Sequence, residues 1–219
     1  NLIFYGEHGE SEYGGNTEFN NRPYLPFDHW AITYWKGTTV DDLYEYGLQH
    51  KDYIKEEDFN QSDLIFYKPP ELKLMQERNI DIRWMSYYHK WVPQENYYYA
   101  TENTGFKANP VRSEGTYPKY ASLDDKLDGL HFYLMYIKFG FGRATSDAAH
   151  EIRDGHITRQ EAVALVHRYD GEFPHKHFSV FLDYLDLTED EFWQVVDRFR
   201  QPHIWQKVNG EWELRHHVS

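Results

Sequence analysis

The chain has 219 residues, with 23 lysines and arginines against 36 aspartates and glutamates, for a formal charge of −13. That surplus of negative charge disfavours nucleic acids and anionic membranes as partners, since both reward summed positive charge. Cysteine is absent, which excludes disulfides, thiolate zinc sites and a cysteine nucleophile within the chain. No apolar run approaches the roughly 20 residues that span a bilayer, and no signal-peptide pattern opens the sequence. A cytoplasmic protein without membrane partners is the expectation. Aromatic residues make up 18%, many of them tyrosines that can pack on one edge and hydrogen-bond on the other.

Asn1-Leu2-Ile3-Phe4-Tyr5 reads as a short buried strand that enters at once the loop Gly6 to Gly15. A buried parallel strand needs neighbours, and few follow in the sequence. The chain is therefore expected to be the carboxyl-terminal part of something longer. Val40 to Gln49 reads as a helix. Ser62 to Met75 leads into a short helix set by Pro69-Pro70, with Leu72 and Met75 as its buried face. Ile80 to Val92 alternates enough for a second strand, which Pro93 ends. Gln94 to Thr101 turns helical and Asn103-Thr104-Gly105 closes it, while Gly115-Thr116-Tyr117-Pro118 is turn chemistry.

From Ser122 the pattern is helical. Ser122 is placed to cap a helix running to about Phe139, with Leu127, Leu130, Leu134 and Ile137 on one stripe. A second helix spans about Ser146 to Asp154 and stops at Gly155. Thr158 with Glu161, and Thr188 with Glu191, form capping boxes that open two more. Between them His175 to Leu185 reads as a helix burying Phe178, Phe181, Leu182 and Leu185. In the last of these helices Phe192, Val195, Val196 and Phe199 face inward. The tail carries a candidate hairpin around Asn209-Gly210. The division expected is 1–121 and 122–219.

Three constellations invite chemistry. Glu7 ends the first strand, and in open α/β folds ligands bind at that edge of the sheet. The plainer alternative is a solvated loop glutamate. Lys138-Phe139-Gly140-Phe141-Gly142-Arg143-Ala144-Thr145-Ser146-Asp147 joins two helices through two glycines and two cations. The opening helix offers unpaired N–H groups and the positive end of its dipole, so the corner is a receptor for a phosphate or carboxylate. The rival reading is a structural corner with Arg143 paired to Asp147 at i, i+4. The third is Leu123-Asp124-Asp125-Lys126, a run of charge in the expected first turn of the helix after Ser122, where acidic residues complement the dipole and a structural explanation suffices. Histidines number 13, yet His175-x-His177 and His216-His217 lack metal-ligand spacing and read as surface residues.

Several of these stretches resemble one family, the N-acetyl sugar amidotransferases of the PP-loop ATP pyrophosphatase superfamily. The residues that carry the likeness are Gly6-Glu7, Glu12-Tyr13-Gly14-Gly15, Trp84-Met85-Ser86-Tyr87-Tyr88 with Trp91, and Gly105-Phe106. It continues through Gly115-Thr116-Tyr117, Leu123-Asp124-Asp125-Lys126, the Lys138–Thr145 corner, Glu151-Ile152-Arg153, Thr158-Arg159-x-Glu161-Ala162 and Tyr169-Asp170. The resemblance implies an α/β fold: the carboxyl-terminal remainder of a Rossmann-like PP-loop domain, then a mainly helical region. It implies ATP-dependent conversion of an acetamido group on a nucleotide-activated N-acetyl sugar to an acetamidino group, in lipopolysaccharide, O-antigen or related surface-glycan assembly. ATP and Mg²⁺ are the implied cofactors, and a glutaminase with a cyclase-like subunit the implied ammonia source. Glu7 is then the expected catalytic residue, Glu12, Tyr13, Gly14 and Gly15 shape the sugar pocket, and Lys138 and Arg143 hold phosphate.

The family's Ser-Gly-Gly-x-Asp-Ser loop does not occur in this sequence, so the chain is expected to be a truncated form of the enzyme, inactive alone. The competing expectation is a non-catalytic sugar-binding or subunit-docking module.

Overall fold

The computed structural model describes residues 1–6, 21–24, 26, 37–50, 55 and 60–219. They form two compact units, Asn1–Trp91 and Val92–Ser219, and residues 92–121 cluster with the second. Helices and strands are mixed, as the α/β expectation requires.

In the first unit, strand β1 (Leu2–Tyr5) pairs in parallel with β2 (Asp81–Trp84), Leu2 opposite Asp81 and Tyr5 opposite Trp84. Between them lie α1 (Val40–Gln49) and the short α2 (Leu72–Glu77). A capping box in which Thr39 and Asp42 exchange hydrogen bonds opens α1. Three expectations need correction here. All four β1 side chains are exposed, because the strand has a single hydrogen-bonded neighbour among the described residues. Burial falls instead on β2, where Ile82 and Trp84 point inward and their neighbours outward. β2 is also shorter than expected, since Met85–Tyr88 turns helical as α3. No residue of α2 is buried, and Leu72 is exposed.

In the second unit, α4 (Pro93–Asn103) begins on its proline. A loop over residues 105–127 follows, and Tyr97 of α4 stacks on Tyr120 of that loop at 4.7 Å. Four further helices follow: α5 (Asp128–Phe139), α6 (Arg143–Asp154), α7 (Arg159–Tyr169) and, after a 3₁₀ turn at His175–His177, α8 (Phe178–Leu185). Last come α9 (Glu189–Phe199) and the antiparallel hairpin β3 (Trp205–Val208) with β4 (Glu211–Leu214). Both expected capping boxes form, Thr158 with Glu161 and Thr188 with Glu191. Asn209 and Gly210 both take positive φ, as a two-residue turn matching the strand twist requires.

The core is built on the predicted stripe of α5. Leu130 and Ile137 are buried with Tyr133 against Phe181 of α8, Phe192 and Val196 of α9, and Trp205 of β3. Trp205 donates its indole N–H to the carbonyl of Ile137 at 2.7 Å, which ties the hairpin to the last turn of α5 and satisfies a helix-end acceptor. The edge of this core differs from expectation: Leu185 and Phe199 are exposed.

Ser122 does not cap α5. The helix starts at Asp128, so Leu123-Asp124-Asp125-Lys126 precedes it and is not its first turn. Ser122 sits in the left-handed region and its hydroxyl donates to the Asp128 carboxylate. The Asp125 carboxylate accepts from the Leu127 N–H in a local turn, an alternative that aspartate offers the backbone in place of helix. Leu130, about 1% exposed, fixes the core by size. Leu130→Ala should cost about 2–5 kcal/mol of unfolding free energy in denaturant titration; a loss under about 1 kcal/mol would place the core elsewhere.

Candidate functional site

The corner between α5 and α6 is set by two glycines with different jobs. Gly140 ends α5 in the left-handed conformation, and a Cβ there would come within 2.8 Å of Ile204 Cγ2. Gly142 is the N-cap of α6 and has no side chain to offer its helix. The cap comes from elsewhere. The carboxylate of Asp170, just past α7, accepts from the Gly142 N–H at 2.8 Å, from the Thr145 N–H at 3.1 Å, and from the Thr145 hydroxyl. A Cβ on residue 142 would lie 2.8 Å from Asp170 Oδ1, so glycine is what lets the carboxylate approach. The receptor expected for an anion does hold one, and it is internal.

Arg143 opens α6 and lies over the Phe132 ring, 4.2 Å from its centroid. Its Nε donates to Asp147 Oδ1 at 3.1 Å, and a terminal nitrogen lies 3.9 Å from Asp128. The i, i+4 pair raised by the sequence therefore forms. Asp147 is held in turn by Thr116, whose buried hydroxyl donates to Asp147 Oδ2 at 2.6 Å.

A second charged clamp ties the 105–127 loop to the segment after α7. Arg112 makes a bidentate pair with Glu172, both bonds 2.6 Å, and lies over the Tyr169 ring at 4.6 Å. The same carboxylate accepts the Gly115 N–H at 2.7 Å. Hydrogen bonding to Arg112 is the main reason the Glu172 carboxyl titrates below its ordinary range.

Thr116, Ser122, Arg112 and Arg143 line a cavity of about 170 Å³, whose wall also includes Phe132 and Lys176. Lys138 does not line it. That lysine lies against its neighbour Phe139 and borders an apolar groove with Phe181, Phe192 and Phe199. The two cations expected to act together thus line different cavities. Glu7, Glu12, Tyr13, Gly14 and Gly15 lie outside the described residues. Among the described residues, no group of three or more histidines and carboxylates could hold a metal ion.

Near Thr116 in the chain, the hydroxyls of Tyr117 and Tyr120 titrate above their ordinary range. Tyr120 is pushed up to about 12, first by burial and then by the charges of Glu151 and Asp147. Tyr117 is raised further for the same reasons, its hydroxyl buried near Glu151 without a formed hydrogen bond. Burial also raises Glu151. In each of these groups burial acts against the charged form.

Residues 114–218 match the family model of the LPS biosynthesis protein WbpG-like, C-terminal domain. No curated protein matches the chain. The match starts at Glu114, next to the Gly115-Thr116-Tyr117 turn, and contains Arg143, Asp147, Asp170 and Glu172. It ties this segment to lipopolysaccharide biosynthesis. No helix among the described residues is long and apolar enough to cross a membrane.

Gly115-Thr116-Tyr117, Arg143-Ala144-Thr145 and Tyr169-Asp170 are separate motifs in the sequence. The structure bonds them together, through Thr116 to Asp147 and Arg143, and through Asp170 to Gly142 and Thr145. Nothing local in the sequence points to Arg112, Glu172 or Lys176, since the clamp couples positions 60 residues apart. The Arg112–Glu172 clamp predicts a pH signature. With the folded carboxyl depressed, its contribution is complete above the ordinary glutamate range near about 4.3 and disappears as pH falls through the folded value. Glu172→Gln should lower the melting temperature at neutral pH and flatten the loss of stability on acidification. An unchanged acid limb would remove Glu172 from the stability of the loop.

Proposed function

We propose that the chain serves an ATP-dependent amidotransferase of surface-glycan assembly, which converts the acetamido group of a nucleotide-activated N-acetyl sugar to an acetamidino group. The observation that carries this reading is the match of residues 114–218 to an LPS biosynthesis family. The amidotransferase chemistry is supported by the motifs of the resemblance, from Gly6-Glu7 to Tyr169-Asp170. On this reading the first unit belongs to a Rossmann-like PP-loop domain, with β1 and β2 as neighbouring parallel strands.

An amide carbonyl is a poor electrophile. Its oxygen attacks the α-phosphorus of ATP, pyrophosphate leaves, and the oxygen now departs readily as AMP. Ammonia adds to the activated carbon, AMP is expelled, and the nitrogen that replaces oxygen leaves an amidine, which takes up a proton. A glutaminase with a cyclase-like subunit supplies the ammonia. Glu7 accepts the proton lost by attacking ammonia, and Glu12, Tyr13, Gly14 and Gly15 shape the wall around the sugar. Arg143 contacts the sugar substrate, with Asp147 and Thr116 holding the guanidinium in place. Mg²⁺, when bound, would neutralise the charge of the departing pyrophosphate; among the described residues no group of three or more histidines and carboxylates marks a site for it.

One feature favours a docking role as a second reading. A groove of about 180 Å³ between α5, α8 and α9 is almost wholly apolar, with Leu185 and Phe199 exposed at it. Both readings meet one assay. The protein carrying this chain, given ATP, ammonium and UDP-linked N-acetyl sugars, should release AMP and yield an amidino sugar by mass spectrometry. Arg143→Ala should reduce turnover by roughly tenfold to a hundredfold, as expected for loss of a charged hydrogen bond, with the melting temperature followed as a folding control. Full turnover in that variant would return Arg143 to a purely structural role. Absence of AMP with every sugar would leave docking as the function.

A further inference from the structure

We infer that the cavity bounded by Arg112, Thr116, Ser122, Phe132, Arg143 and Lys176 holds a neutral, hydroxyl-rich sugar ring, and not the phosphate groups that follow it in a nucleotide sugar. The inference deepens the proposed function by saying which part of the substrate this unit grips.

Charge decides against phosphate. The cationic side chains on the wall are Arg112, Arg143 and Lys176. Each arginine is already matched: Arg112 by Glu172 at 2.6 Å, Arg143 by Asp147 at 3.1 Å with Asp128 at 3.9 Å. Glu114 also lines the cavity, its carboxylate accepting the N–H groups of His175 and Lys176 at 3.1 Å each. With Glu172, Asp147 and Asp128 behind the two arginines and Glu114 on the wall, three cations are set against four carboxylates, which weakens the pull on a dianion. Two helix N-termini lie nearby: that of α6 is filled by Asp170, and that of α5, whose Gly129 lines the cavity, already carries the carboxylate of Asp128 in its first turn. A phosphate entering here would meet two neutralised guanidiniums, a glutamate and the ammonium of the exposed Lys176.

The same arrangement suits hydroxyls. A guanidinium paired with a carboxylate keeps donors that the pair does not use, and the carboxylate keeps lone pairs. A sugar hydroxyl donates and accepts at once, so it can bridge such a pair at no cost in net charge. Phe132 and Gly129 give the wall an apolar side, as the C–H face of a pyranose requires. Size agrees. At about 170 Å³ the cavity lies below the ~300 Å³ at which sites for drug-sized ligands begin. One six-membered ring fits that space, and a nucleoside diphosphate does not.

The test uses the isotope-labelled full chain and amide NMR, with three probes: the methyl glycoside of N-acetylglucosamine, inorganic pyrophosphate, and UDP. The glycoside should shift the amides of Ser113, Thr116 and Ser122, while pyrophosphate and UDP leave them in place. Val111, exposed at the rim of the cavity, is the site for a plug. Val111→Trp should abolish the glycoside shifts with an unchanged melting temperature. Shifts from pyrophosphate or UDP without any from the glycoside would overturn the inference, as would no response to the glycoside. Shifts that survive in Val111→Trp would place the ring elsewhere. No probe needs ATP or ammonia, so the outcome is separate from that of the amidotransferase assay. Glycoside binding without AMP release would retain the pocket and remove the reaction. Turnover undiminished in Val111→Trp would do the reverse.

Discussion

The second unit turns on one carboxylate. Asp170 ends α7 with its backbone and caps α6 with its side chain, taking three donors from Gly142 and Thr145. Two helices that pack against each other are thereby fixed end to end. The cap also sets where α6 begins, hence where Arg143 sits and which way Asp147, one turn later, faces. Thr116 can meet Asp147 only because that register is fixed. A charged hydrogen bond of this type contributes about 1.5–3 kcal/mol, and here the positive end of the helix dipole adds to it.

A chain with a charge of −13 could be expected to expose its few cations to anionic ligands. This unit does the opposite around its cavity. Arg112 and Arg143 are each committed to carboxylates of the same chain, and each also covers an aromatic ring. Planar guanidinium suits this double role, bonding in its plane and stacking on its faces. The result is a rigid, nearly neutral wall of donors and acceptors. Such a wall discriminates by hydroxyl geometry more than by charge, in keeping with the match of residues 114–218 to a lipopolysaccharide-biosynthesis family model.

Much of the helical unit was legible because its signals are local. Thr158-x-x-Glu161 and Thr188-x-x-Glu191 each close a ring of hydrogen bonds within four residues, and Asn209-Gly210 supplies the turn its hairpin needs. The stripe of α5 was legible by period alone. Ser122 misled because a serine before a helical pattern can bond forward to a side chain, here Asp128, in place of a backbone N–H. Strand β1 misled because an apolar run reports what could be buried, whereas burial depends on neighbours. The corner at Gly142 is the most instructive case. A helix N-terminus attracts a carboxylate or a phosphate alike, so the sequence identified the receptor without revealing that residue 170 occupies it. Of the expected catalytic and sugar-pocket residues, Glu7 to Gly15 lie outside the described residues, and their roles rest on the resemblance.

Amide hydrogen exchange at Gly142 and Thr145, measured in the presence and absence of inorganic phosphate, addresses the Asp170 cap most directly. With the carboxylate seated on α6, both amides should be strongly protected and indifferent to phosphate, and Asp170→Ala should expose them. Rapid exchange in the unaltered protein, slowed by added phosphate, would mean that the helix end is an open anion site and would contradict the account.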